Sequence, residues 1–296
     1  MLSKIEFFNN HRPDECYGPH ANVRIEGLVK CLDGGVSNLR PISGGTLGFC
    51  LMGQIDGVAS FLKTHTVPGG RRALEKEFDI LNYLYGSSIN VKRFEVDDGD
   101  LTRLWLVMDE MTYPDVAFDA RQALAISADF TRKLRYFEDL RHVEPDVDFA
   151  WFLRKGRAAL GNLASHELIG DAVRRRAIRC IDIVGSASIG SKPALCHGDF
   201  GPKNLMCHGV KPVAIDWEDA FWGLDGFDYL YWLTFFENRK YYSRNMFERT
   251  SWSRSVEIGI MAVILIIKSD ISFRAGRHTA DTLTFDQRIS EILDFE

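Results

Sequence analysis

Hydrophobic positions along the chain first follow a helical period, then alternate, then return to a helical period for most of the remaining length. Residues 20–33 place Val23, Leu28, Val29 and Leu32 roughly on one helical face, and Gly34 with Gly35 stops that helix. A strand is expected around 39–42, and two more at 49–54 and 58–63. The last two are joined by Ile55-Asp56-Gly57, and Asp-Gly between apolar runs is a hairpin signal. Residues 72–85 read as a helix with Leu74, Phe78, Leu81 and Tyr85 in one stripe. On that helix Glu77 falls on the inward side, between Leu81 and Leu84, while Glu75 sits at the stripe's edge. An inward carboxylate needs a partner, because burying it unpaired is costly. Lys63, at the end of the third strand, is the expected one. Residues 94–96 and 101–108 form a second hairpin, closed by Asp97-Asp98-Gly99-Asp100. A five-stranded antiparallel sheet with one long helix therefore accounts for residues 36–108.

The pattern breaks at 109–114, which sets the expected boundary between an N-terminal lobe (1–110, with a hinge at 109–112) and a C-terminal lobe (113–296). The second lobe reads as mostly helical, with helices at 119–141, 148–164, 167–185, 226–249 and 252–270 and a closing turn at 283–294. Leu124, Ala128, Thr131, Leu134, Phe137 and Leu140 form the stripe of the first of these. The run Arg174-Arg175-Arg176 reads as a solvated face. No internal repeat or low-complexity linker interrupts the order.

Composition narrows the class without changing the layout. The 296 residues are 46% hydrophobic, 26% charged and 12% aromatic, as in ordinary soluble globular proteins. A net charge of −5 with no sustained basic excess argues against a nucleic-acid binder. The apolar run 258–267 is too short to span a bilayer and stops at Lys268 and Asp270, so it reads as a buried helix, with no membrane partner. The N-terminal stretch lacks the apolar core of a signal peptide, and the six cysteines show no CxxC pair. Reduced thiols in a cytoplasmic protein are the expectation. The histidines do not cluster, which argues against zinc.

Residues 194–220 carry the chemistry. An apolar lead-in delivers His197 and Asp199, Asn204 follows five residues after Asp199, and a second apolar run ends in Asp216, twelve residues beyond Asn204. Any one of these is common in turns. Together, two carboxylates at strand ends with a carboxamide between suit a metal–nucleotide site. One Asp accepts a proton from an attacking hydroxyl, while Asn and the other Asp hold a hard divalent cation through oxygen. Upstream, Ser43-Gly44-Gly45-Thr46 lies between two strands, where bare backbone N–H groups are able to approach a phosphate.

His197-Gly-Asp199-Phe-Gly-Pro-Lys-Asn204, followed by Ile215-Asp216-Trp217-Glu218, resembles the HGDxxxxN…DWE signature of the aminoglycoside phosphotransferase and choline kinase family, small-molecule kinases with a protein-kinase-like fold. The stretch from Ala220 through Asp228 resembles the family's continuation, with Asp225 where proline is usual. Glu77 to Leu84 resembles the helix that pairs its Glu with the strand lysine, and Leu140-Arg141-His142 the ending of the helix after the hinge. The resemblance spans about residues 36–235 and implies an α+β, protein-kinase-like two-lobe fold.

It also implies roles. Asp199 would be the base or orienter for the acceptor hydroxyl, and Asn204 and Asp216 would bind Mg²⁺. Lys63 would hold the α- and β-phosphates with Glu77 orienting it, and Ser43, Gly44, Gly45 and Thr46 would lie over the phosphates. Asp109, Glu110 and Met111 would be the hinge that reads the adenine edge, while His197 and Asp228 would brace the loops. The glycine loop is shorter than GxGxxG, and residues 142–190, where the family builds part of its acceptor pocket, show no motif. Lys203 reads as solvent-facing.

The expected activity is Mg²⁺-dependent transfer of the γ-phosphate of ATP (GTP being the other candidate nucleotide) to a hydroxyl of a small molecule, by a monomer or homodimer. Asp216, Glu218, Asp219, Asp225 and Asp228 form an acidic cluster suited to a cationic acceptor such as an aminoglycoside antibiotic, although magnesium and loop bracing claim part of it. Trp222, Tyr229, Tyr231, Trp232, Tyr241 and Tyr242 offer stacking for a choline-like ammonium, against the commoner reading as core. A metabolic kinase for choline, homoserine or a sugar is the alternative, and a nucleotide-binding regulator is the alternative of another class. HGD in place of HRD, with no DFG, disfavours a protein kinase.

Overall fold

A computed structural model describes residues 23, 25–32, 35–42, 48–65, 70–98, 101–137, 143–145, 147–277 and 283–296. Two compact units make up the chain: residues 1–114, 139–142 and 206–218 form one, and the remainder forms the other.

In the first unit, α1 (Glu26–Cys31) precedes the strands β1 (Val36–Ile42), β2 (Gly48–Ile55) and β3 (Val58–His65). The helix α2 (Gly70–Tyr85) follows, and β4 (Val91–Asp98) and β5 (Leu101–Asp109) complete the sheet. The five strands lie in the order β1-β2-β3-β5-β4, and every neighbouring pair is antiparallel. Asp56 and Gly57 turn the β2–β3 hairpin with φ of 52° and 80°, the left-handed pair that a two-residue turn demands. Leu28, Leu51, Leu62, Val96, Trp105 and Val107 form a core on this sheet. Helix α2 buries Leu74, Ile80, Leu81 and Leu84, so its apolar face is centred nearer Ile80 than Phe78 and Tyr85. The expected helix at 20–33 is described only over α1, and the Ser43–Thr46 loop lies outside the described residues.

The second unit opens with α3 (Ala120–Leu134), α4 (Phe149–Ser165) and α5 (Asp171–Ser188). Asp119 and Gln122 start α3 with a reciprocal capping box. Helix α3 ends at Leu134, short of the expected 141, with Arg135 as its C-cap and Tyr136 exposed beyond it. Its buried stripe runs through Ala123, Ser127, Phe130 and Leu134. Leu140 to His142 lie outside the described residues.

Strand β6 (Ala194–Cys196) comes next, then β7 (Leu205–His208) and β8 (Lys211–Ala214), which pair with each other around Gly209. Residues 206–218 belong to the first unit, where Thr112 and Cys207 exchange two backbone hydrogen bonds of 2.9 and 2.7 Å. Strand β9 (Phe221–Gly223) pairs with β6. The helices α6 (Phe227–Leu233), α7 (Arg254–Arg274) and α8 (Phe285–Leu293) close the chain.

The continuous helix expected over 226–249 does not form: α6 ends after Leu233 and short 3-10 turns at Phe236–Tyr241 and Arg244–Met246 follow. Side chains take the carbonyls that a further helical turn would need. Thr234 Oγ1 donates to Tyr231 O (2.7 Å), Asn238 Nδ2 to Trp232 O (2.7 Å) and Arg288 Nη2 to Thr234 O (2.8 Å). Helix α7 is buried along almost every residue from Val256 to Ile267, as the apolar run at 258–267 predicts. Among the described residues, no helix is long and apolar enough to cross a membrane.

Candidate active site

The predicted site residues fall into two groups, one in each unit. In the first unit β3 carries Lys63 inward, 3.1 Å from Glu77 Oε2 on α2. The chain leaving β8 turns at Asp216 in a left-handed conformation (φ 68°), and its N–H donates to Glu77 Oε1 at 3.1 Å. That turn brings the Asp216 carboxylate onto the Lys63 ammonium and sets Glu218 Oε2 3.1 Å from it. His65, two residues beyond Lys63 on the same strand face, places Nε2 2.8 Å from Glu218 Oε2.

Charge explains the cohesion. Burial works against the Lys63 charge, but Glu77, Asp216 and Glu218 outweigh it and hold its pKa well above the usual lysine value. Burial raises the Glu77 carboxyl even though Lys63 pulls it down, since Glu77 shares one lysine with two other acids. Glu218 is half-buried, which works against its charge, yet His65 and Lys63 together draw it below the usual range. The three carboxylates offer oxygens within 4.8 Å of one another. An all-oxygen set with excess negative charge fits a hard divalent cation. The sequence placed Glu218 in the signature and in the acidic cluster for an acceptor, not beside Lys63, and His65 was not singled out. The signals were present, in the acid two residues past Asp216 and in the period-2 spacing from Lys63.

The residues expected to form the hinge lie at and just beyond the end of β5, where Asp109 pairs with Ser60. The Glu110 N–H donates to Ala59 O at 2.8 Å, so β3 engages it. Asp109 Oδ2 accepts from the Asn90 N–H (2.9 Å) and lies 3.6 Å from His208 Nε2.

In the second unit β6 leads into the loop 197–204. Gly198 has φ of 85°, and a Cβ there would collide with the Asp219 carbonyl, so only glycine fits. The N–H groups of His197 and Gly198 donate to the buried Asp228 carboxylate at 2.9 and 3.3 Å. Burial pushes Asp228 up to about 7 against the pull of those two donors. The His197 ring is fully buried and its Nδ1 accepts from the Asp199 N–H at 3.3 Å, a contact within the loop itself. Asn204 Nδ2 donates to Asp199 O (2.9 Å) and to Asp199 Oδ2 (3.0 Å), which turns its carbonyl oxygen, the harder ligand, away from Asp199. The other Asp199 oxygen, Oδ1, accepts from the Tyr231 hydroxyl at 2.8 Å. Tyr231 had been weighed only as a stacking surface. Lys203 is exposed.

The acidic cluster expected to attract a cationic acceptor is largely committed to partners within the chain. Asp216 and Glu218 hold Lys63, Asp228 holds the loop, and Asp225 pairs with Arg135 at 2.7 Å. Of the aromatics, Trp232 is buried with its ring tilted against that of Tyr241, and Tyr229 is buried with its hydroxyl donating to Met246 O.

The profile of the phosphotransferase enzyme family (APH) matches residues 56–243, more than half the chain. A search of curated protein sequences returns no match. Solved structures resemble the chain along nearly its whole length. A thermostable variant of aminoglycoside phosphotransferase APH(4)-Ia, in ternary complex with ADP and hygromycin B, aligns with a TM-score of 0.60 at 13% identity, covering 92% of this chain and 99% of that one. The amicoumacin kinase hAmiN, in complex with AMP-PNP, Ca²⁺ and Ami, gives 0.57 at 12% identity, covering 96% of each chain. Spectinomycin phosphotransferase APH(9)-Ia, in complex with ADP and spectinomycin, gives 0.55 at 13% identity, covering 92% and 93%. At such identities the likeness establishes the fold, which is the α+β, protein-kinase-like one expected.

Proposed function

The chain belongs to the phosphotransferase enzyme family, and from that membership we propose that it transfers the γ-phosphate of ATP to a hydroxyl group of a small molecule, with a divalent cation, Mg²⁺, bound. The observation that carries the nucleotide half of this reading is the Lys63–Glu77 pair with Asp216 and Glu218 around the same ammonium. A lysine held charged by buried acids presents a fixed positive point to phosphate oxygens. Asp216 and the side-chain oxygen of Asn204 are the hard-oxygen donors that would hold the cation, which would neutralise charge on the phosphates.

Asp199 serves the acceptor. Its carboxylate is held from both sides, by Asn204 on Oδ2 and Tyr231 on Oδ1, so it is oriented before any acceptor arrives. The acceptor oxygen bonds to the γ-phosphorus as the bond from that phosphorus to the ADP oxygen breaks, and the hydroxyl proton passes to the Asp199 carboxylate. Correct placement of such a base is worth about 10²–10⁴ in rate. The hinge at Asp109 to Met111 reads the adenine, and because the Glu110 N–H is engaged by β3, the neighbouring backbone groups do so.

The acceptor is a hydroxylated small molecule, the kind of compound that the relatives' names carry (hygromycin B, amicoumacin, spectinomycin). ADP release measured across hydroxylated antibiotics, free sugars, homoserine and choline should rise above a slow background of transfer to water only with the right acceptor. Asp199→Ala should abolish it while nucleotide binding survives. Unchanged turnover in Asp199→Ala would remove the proposed role. A rise in melting temperature with ATP, but no turnover with any acceptor, would favour a nucleotide-binding regulator.

A further inference from the structure

Lys268, on α7, is a cation that the phosphotransfer reading leaves unused. Its Nζ lies 3.8 Å from the centroid of the Tyr231 ring and 3.5 Å from that of Phe235, and it donates to Thr234 Oγ1 at 2.9 Å. Among the described residues, no carboxylate lies within ion-pair distance of it. Burial draws its pKa well below the usual lysine value, with Asp199 pulling the other way. An ammonium set against two aromatic faces is the arrangement by which proteins recognise choline-like ligands. Here the chain supplies the ammonium itself.

The same two rings touch the catalytic loop. Tyr231 donates its hydroxyl to Asp199 Oδ1 at 2.8 Å. Phe235 lies against Gly201, where any Cβ would collide with its ring. The two rings also meet edge to face, 5.8 Å apart. A change at Lys268 therefore reaches Asp199 through a single side chain, Tyr231.

We propose that Tyr231 and Phe235 form an ammonium cage filled by the chain's own Lys268, which makes Lys268 a positioning residue for Asp199 and leaves the acceptor class as hydroxylated molecules without a quaternary-ammonium head. This rests on the phosphotransfer reading. The acids that would have drawn a cationic acceptor point the same way, since Asp216, Glu218, Asp225 and Asp228 are all paired within the chain.

Two measurements test it. Lys268→Ala empties the cage, so tetramethylammonium chloride should raise the melting temperature of that variant above a sodium chloride control and leave the wild-type protein unmoved. This readout needs no turnover and is independent of the phosphotransfer reading. An equal response from both proteins overturns the cage. The second is Mg-ATP turnover with water in place of the acceptor. Lys268→Met should lower kcat by about tenfold with KM for ATP unchanged, and methylammonium should restore part of the loss in Lys268→Ala. Tyr231→Phe should resemble Lys268→Met, and the double variant should be no worse than either. Wild-type kcat in both single variants, or rapid phosphorylation of choline by the wild-type protein, overturns the positioning role or the acceptor class respectively.

Discussion

Lys63 is the residue on which the first unit's charges converge, and the consequences of removing it differ from those of removing a partner. Without it, Glu77, Asp216 and Glu218 would stand within 4.8 Å of one another with His65 as their nearest compensation. Breaking a buried pair in that way costs about 3–5 kcal/mol. Removing Glu77 still leaves Lys63 with two carboxylates, so Glu77→Gln should cost only about 1–2 kcal/mol, chiefly the bonds to Lys63 and the Asp216 N–H. Urea unfolding in the absence of metal should rank Lys63→Met well below Glu77→Gln. Millimolar Mg²⁺ should recover more stability in Lys63→Met than in wild type, because the ion replaces the lost charge. Equal midpoints for the two variants would mean that the cluster holds nothing together. At this scale the sequence was readable wherever residues sat close along the chain. Glu77 reads as inward from helical spacing alone. Tyr231 does not read as a partner of Asp199, nor Lys268 as a neighbour of the Tyr231 ring, since only the fold brings each pair together.

At the scale of elements, periodicity located the sheet, its hairpins and α2 because each is governed by nearby residues: Asp56-Gly57 sets one turn, and the apolar stripe of α2 covers the sheet. It failed at 226–249, where the aromatic spacing was compatible with one helix. The stop after Leu233 is imposed by Arg288 and Asn238 reaching back to carbonyls, and Arg288 comes from another helix. Close helix packing is another feature that spacing does not reveal. Gly259 on α7 sits where a Cβ would strike Val184 and lie 3.1 Å from the Cys180 carbonyl on α5. Gly161 on α4 has open space in the same direction. The same substitution should therefore have opposite signs. Gly161→Ala should stabilise by about 0.5–1 kcal/mol through helix propensity. Gly259→Ala should destabilise by about 1–2 kcal/mol, because overpacking exceeds the propensity gain. Chemical unfolding of both variants beside wild type decides it, and a stabilised Gly259→Ala would refute the packing argument.

For the whole molecule, the first unit runs to Pro114 and the chain returns to it at 206–218, a return that no pattern in the sequence marks. Residues 206–218 join that unit through the paired backbone bonds of Thr112 and Cys207 and through Lys63, Glu77 and Tyr85, which hold Asp216, Glu218 and Ala214. Pairing over such a separation leaves no local trace. The motif in 194–220 was legible as chemistry, yet its members divide: Asp216 and Glu218 lie in the first unit, Asp199 and Asn204 in the second. This division predicts how ligands stabilise the protein. A nucleotide at about one hundred times its Kd adds about 2.7 kcal/mol to stability if it binds only the folded state. AMP-PNP with Mg²⁺ should therefore raise the melting temperature of the wild-type protein, and EDTA should remove most of the rise. Asp216→Asn should lose the metal-dependent part, since it gives up a carboxylate ligand. Asp199→Asn should keep it, because Asp199 is assigned to the acceptor and not to the nucleotide. A melting-temperature rise that vanishes in Asp199→Asn and persists in Asp216→Asn would reverse the two assignments.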